Sequence, residues 1–191
     1  MQLGPFKIQL ASRVMAIEEL LTLYPYQGVF ARGLKVLFDG STSPYHIPAK
    51  SEHVPVAPSA TEFDQVVSGF LMAAATTAKF IRRGDLWRAE SWFAQDLRPH
   101  LLTMIRWDAA DKDTWYGARF IEQWADPEIL AELGSAFPNY NAESLKTSLL
   151  SLLGLFRRVG EKTGARFGLS YPVETHEKIS GLIGQIFAEE P

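Results

Sequence analysis

Apolar residues recur along the second two-thirds of this chain at three- and four-residue spacing, the period of one helix face. The longest such run, over about Ala142–Phe167, puts Leu145, Leu149, Leu152, Phe156 and Val159 in one stripe. Asn141 is its predicted cap. Gly168 is placed to stop it in a left-handed conformation. Further upstream, Ser59-Ala60-Thr61-Glu62 reads as a capping box, in which hydroxyl and carboxylate satisfy otherwise unpaired amides. The helix it opens runs to about Arg83. Gly84-Asp85 then breaks and recaps the chain, which predicts a second long helix from Leu86 to about Asp108. A shorter helix is expected over roughly 116–124. Asp126-Pro127-Glu128 starts another, ending near Leu133, with Asp at the cap and Pro in the first turn. Thr175 is the expected cap of a last helix through Ala188.

The first sixty or so residues have a different pattern. Residues 5–11 alternate apolar and polar, as a strand does, 16–23 suggest a short helix, and 33–38 suggest a second strand closed by Asp39-Gly40-Ser41. Pro44, Pro48, Pro55 and Pro58 fall in 41–60, where missing backbone donors and extended predecessors imply a linker. The expected fold is mainly α. A bundle of about five to six helices over 61–191 follows a two-strand remnant of an α/β domain over 1–40 and a proline-rich linker over 41–60.

Composition narrows the function classes. With 47% apolar and 21% charged residues, the 191-residue chain has the balance of a water-soluble globular protein. A net charge of −3 lacks the basic excess that nucleic-acid binding requires, so no nucleic-acid partner is expected. The absence of cysteine excludes disulfides, thiolate metal sites and a cysteine nucleophile, and fits a cytoplasmic protein. The apolar stretch 66–78 is too short and too polar to span a bilayer, so no membrane partner is expected either. His46, His53, His100 and His176 include no i,i+4 pair, and no metal site is expected from them.

Several local patterns point to a family. Ala78-Lys79 precedes Leu86-Trp87-Arg88-Ala89-Glu90, then come Tyr116-Gly117-Ala118-Arg119-Phe120-Ile121 and Pro127-Glu128-Ile129-Leu130. The series closes on Leu155-Phe156-Arg157-Arg158-Val159, Phe167-Gly168 and Tyr171-Pro172. In this order and spacing the chain resembles the aminoglycoside 6-adenylyltransferase (streptomycin adenylyltransferase) family over about two-thirds of its length. The resemblance implies that 61–191 is the substrate-binding domain and that 1–40 is the end of the nucleotidyltransferase domain. It also implies transfer of AMP from ATP, with Mg²⁺, to a hydroxyl of an aminoglycoside or similar polycation.

By the same resemblance, Lys79 and Arg119 are expected to contact nucleotide, Lys79 as a point charge on phosphate. Glu90, Trp87 and Asp85 are expected to contact substrate, since a polycation needs carboxylates and an aromatic face can hold a guanidinium. Trp107 and Asp108, beside the acidic stretch ending at Asp113, form a second expected substrate rim. Each has a plainer alternative: a snorkelling lysine, an N-capping aspartate, core tryptophans.

No catalytic and no metal-binding residue is assigned. The family carries Gly-Ser followed about ten residues later by Asp-x-Asp, acids that hold metal against the triphosphate. Neither Gly40-Ser41 nor Gly134-Ser135 leads into such a motif, and Asp111-Lys112-Asp113 lies between helices without a preceding Gly-Ser. Where a family strand reads like Lys-Ile-Asp-Leu, this chain has Lys7-Ile8-Gln9-Leu10, an amide in place of the acid. The expectation is a chain that begins inside the catalytic domain, holds no complete ATP or Mg²⁺ site and is inactive alone. The alternative is a non-catalytic small-molecule-binding helical module. An unpaired strand edge in the first domain favours a homodimer.

Overall fold

The computed structural model describes residues 57–112, 114 and 117–188, which belong to one compact unit, Pro55–Pro191. The strands, short helix and most of the linker expected before residue 57, Gln9 among them, lie outside the described residues. What is described is helical: α1 (Ala60–Arg82), α2 (86–108), α3 (Ile121–Trp124), α4 (Pro127–Leu133), α5 (Ala142–Phe167) and α6 (Val173–Ala188). A mainly-α bundle is therefore what the periodicity builds.

Local capping chemistry sets most of the boundaries. Ser59 Oγ accepts from the Glu62 amide, and the Glu62 carboxylate accepts from the Ser59 amide at 2.9 Å, closing the capping box. Asp85, Asp126 and Asn141 cap α2, α4 and α5 through their side chains. Gly168 ends α5 at φ 68°, where a side chain would be strained, and its amide donates to the Gly164 carbonyl.

Two boundaries differ from expectation. The helix expected over 116–124 is the single turn Ile121–Trp124, because Phe120 adopts a left-handed conformation (φ 55°) that interrupts helical bonding. The last helix begins at Val173, not after Thr175. The Pro172 carbonyl accepts from the His176 amide, so the proline opens the turn and Thr175 lies inside it.

The second long helix contains a feature that simple helical periodicity does not predict. Leu86–Trp92 and Arg98–Asp108 are α, but Phe93–Leu97 between them is a π segment, in which the Arg98 amide donates to the Phe93 carbonyl five residues back. The cause lies in the core row Ala89, Phe93, Leu97, Leu101 and Ile105, all essentially buried and spaced by strict fours. In an ideal α-helix each four-residue step advances about 40° around the axis, so this row would rotate out of the core by about 160° over its length. A wider π turn takes up part of that rotation.

The core lies between α1, α2 and α5, with α6 along α1. On α1, Ala73, Ala74 and Ala78 allow close approach of neighbouring helices, and Phe70 stacks on Phe156 of α5 with centroids 3.7 Å apart. All five residues of the α5 stripe are buried. Below them, Phe63, Trp107 and Tyr171 meet at the end where α1 begins and α5 finishes.

Candidate functional site at the helical turn

The α1–α2 hairpin brings four of the expected site residues to one end of the bundle. Lys79 is exposed on the last turn of α1 and lines a hollow with Arg82, Arg83 and Ile186 of α6. The cations suit the partial negative charge at a helix C-terminus, which favours basic residues in the last turn. Two turns of chain further on, Asp85 caps α2, its Oδ1 accepting from the Arg88 amide at 3.4 Å. Trp87 is 76% exposed, an unusual state for the largest apolar side chain. Beneath it, the Arg88 guanidinium sits 5.3 Å from the Phe80 ring, and Phe80 lies 6.1 Å from Trp92.

Glu90 is half-buried and already engaged. The Arg98 guanidinium donates to Glu90 Oε1 at 2.9 Å and lies 5.1 Å from the Phe137 ring centroid. Eight residues apart on an α-helix, the two side chains would point about 80° from each other. The intervening π segment shifts the frame by one residue and puts both on one face. Arg98 was absent from the sequence reading because nothing in an i,i+8 spacing suggests a pair. The strict four-residue core row was the available signal for the π segment, and hence for Arg98.

The second expected rim is elsewhere. Trp107 and Asp108 lie near the other end of α2, about 30 Å from Trp87 along the helix axis. Both face inward: Trp107 packs 6.3 Å from Phe63, and the Asp108 side chain is 4% exposed. Lys162 Nζ donates to Asp108 Oδ2 at 3.2 Å and to Asp126 Oδ2 at 2.6 Å, while Arg166 donates to the Asp108 carbonyl at 2.5 Å and to Asp111 at 3.3 Å. Hydrogen bonding from Lys162, with help from the Glu128 amide, holds the Asp126 carboxyl below its ordinary range. The two carboxylates in turn raise the Lys162 ammonium, the Asp126 bond most. This end is a closed ion network joining α2, α4 and α5. Arg119 lies in the turn before α3, its guanidinium 4.9 Å from the Phe120 ring and its carbonyl accepting from Trp124 Nε1 at 3.1 Å.

A helical unit with this hairpin, this closing Gly168 and this order of caps has known relatives. The model of a family described as streptomycin adenylyltransferase matches residues 14–186. The chain belongs to the streptomycin adenylyltransferase family. No curated protein matches it. Among solved structures, an aminoglycoside 6-adenyltransferase from Bacillus subtilis is similar in fold, with a TM-score of 0.61 at 22% identity. That alignment covers 69% of this chain and 52% of the other, so this chain spans about half the length of that protein. That likeness is one of fold.

Those residues do not fit a metal. Among the described residues, no three His, Asp or Glu side chains gather as ligands. The Mg²⁺ that adenylyl transfer implies has no set of donors among the described residues.

Proposed function

We propose that the helical unit is the acceptor-side domain of an aminoglycoside adenylyltransferase-like protein. In the reaction, a hydroxyl oxygen of a streptomycin-type polycation bonds to the α-phosphorus of ATP, the bond to pyrophosphate breaks, and the hydroxyl proton is released. The observation that carries this reading is the cationic cluster of α1 beside an exposed indole at the α1–α2 turn. Lys79, Arg82 and Arg83 gather on the α1 side, while the α2 side presents the exposed Trp87 with Asp85, Arg88 and the paired Glu90 and Arg98. Cations suit a polyphosphate; carboxylates and an indole face suit ammonium and guanidinium groups. Trp107 and Asp108, packed inward at the other end of α2, and Arg119, in the turn before α3, are not part of this grouping. No helix among the described residues is long and apolar enough to cross a membrane, and we read the protein as cytoplasmic.

We further propose that the 191-residue chain does not itself transfer AMP, because Gln9 stands where the family has an acid and no Gly-Ser leads into Asp-x-Asp. Mixing the purified chain with ATP, Mg²⁺ and streptomycin should release no pyrophosphate; streptomycin-dependent release refutes this part. Calorimetry should still detect streptomycin binding, weakened by Glu90→Gln and Trp87→Ala. Silence in that titration removes the acceptor-domain reading. Gln9 also favours a second reading, a binding module without turnover, which predicts heat for one ligand and none for ATP.

A further inference from the structure

Where the π segment of α2 ends, a proline, a histidine and a glycine meet in a way that apolar packing does not explain. Pro99 follows the segment and has no N–H to give to Gln95 four residues back or to Ala94 five back. Both of those residues are exposed, where water replaces the missing donor. The next carbonyl, that of half-buried Asp96, has the His100 imidazole Nδ1 at 2.6 Å. A carbonyl oxygen only accepts, so Nδ1 carries the proton and donates. The other ring nitrogen, Nε2, faces Gly69 of α1, where an added Cβ would lie 2.5 Å from Nε2 and 3.2 Å from Cδ2. The proline removes a helical bond, the imidazole supplies one, and the glycine makes room for the imidazole.

This staple lies two residues beyond Arg98, the residue that the π turn carries onto the face of Glu90. The Arg98 amide donates to the Phe93 carbonyl, and its guanidinium donates to Glu90 Oε1 at 2.9 Å. Regular α-helix through the same stretch would turn residue 98 by about 100°, and the pair would part. The Arg98 side chain is 23% exposed and rests against the Phe137 ring, so it approaches the carboxylate from a fixed side.

We propose that His100 is a positioning residue for acceptor recognition. By locking the π turn it keeps Arg98 on Oε1 of Glu90, and the carboxylate then offers Oε2 to an ammonium or guanidinium group of the acceptor. This rests on the acceptor-domain reading and adds to it the residues that fix its half-buried carboxylate. A glutamate free to rotate gives up rotamer freedom on meeting a ligand, and that cost is taken from the affinity. A glutamate already held by Arg98 has lost that freedom in folding.

The experiment follows the Arg98 Nε–H resonance of the full ¹⁵N-labelled chain, assigned with Arg98→Lys, and measures streptomycin binding by calorimetry. Circular dichroism checks the fold of each variant. His100→Leu keeps bulk but no donor. It should move the Arg98 resonance toward that of a solvated arginine and weaken streptomycin about tenfold, the order of one hydrogen bond to a charged group. His100→Asn, whose amide nitrogen can stand where Nδ1 stands, should restore both. Gly69→Ala pushes the imidazole from the opposite helix and should act like His100→Leu, yet add nothing in a His100→Ala chain. It decides the matter if His100→Leu does not fold. A lowered melting temperature with the Arg98 resonance and the affinity unmoved overturns the proposal, as does His100→Asn behaving like His100→Leu. A parent chain that binds streptomycin no better than its variants do overturns the role of His100 alone; a parent chain silent to streptomycin overturns the acceptor-domain reading with it.

Discussion

Gly160 is the position where one added carbon should do the most damage. It sits in the last third of α5 against Tyr171, and a Cβ built on it would overlap Cε2 and lie 2.7 Å from Cδ2 of that ring. The ring has little room to retreat. Tyr171 is buried, lies edge-on to Phe63, and its hydroxyl is 2.8 Å from His176 Nδ1. Gly160→Ala gains about 1 kcal/mol of helix propensity. Against that, overpacking a rigid core costs about 1–3 kcal/mol. Displacing the ring enough to break its bond to His176 leaves a buried polar atom unpaired, for about 1–3 kcal/mol more. The net expectation is a loss of about 1–5 kcal/mol, the sum of those three terms. Thermal or urea unfolding followed by circular dichroism reads it, as a Tm lowered by at least about 3 °C. Gly181 of α6 is the internal control, because no atom lies within 4 Å of its Cβ position. Gly181→Ala should stabilise by up to about 1 kcal/mol. In a Tyr171→Ala background the penalty at Gly160 should vanish and turn into a gain of similar size. A Gly160→Ala chain as stable as the parent refutes the packing argument.

Two further outcomes are expected. Ser59→Ala removes the hydroxyl half of the α1 capping box and should cost about 1 kcal/mol in urea unfolding, while Thr61→Ala, one residue inside the helix, should change little. His176 is held below its ordinary value of 6.5, chiefly by burial and secondarily by Arg157. Its unfolded form therefore takes up a proton first as the solution is acidified. Stability is fully present above about pH 6.5 and is lost as the pH falls through the folded value. Replacing His176 with Asn should flatten that part of the stability–pH curve; an unchanged slope would assign it to other groups.

Much of the helical frame was already written in short-range chemistry. The Ser59–Glu62 box, the Asp85, Asp126 and Asn141 caps and the Gly168 stop each act within about four residues, so reading neighbours suffices to place them. The α5 stripe was legible for the same reason: burial of one face repeats with the helix itself. The family was legible from an ordered set of such local patterns, Leu86-Trp87-Arg88 and Leu155-Phe156-Arg157-Arg158 among them.

What escaped depended on contacts between distant residues. The π turn exists because Phe93, Leu97 and their four-spaced partners must all face the same core, a demand made by α1 and α5 rather than by α2. Only through that turn does Arg98 reach Glu90. Trp107 and Asp108, adjacent to acids in sequence and so read as an exposed rim, are turned inward, where Phe63 and Lys162 await them from other helices. The chain by itself determined where the capped helices α1, α2, α4 and α5 begin, which faces are apolar and what family pattern they follow, because those are properties of a few consecutive residues. Which charges meet, which tryptophan is left in water and which glycine cannot be replaced were decided by the tertiary structure. Each of those turns on what a helix tens of residues away places opposite.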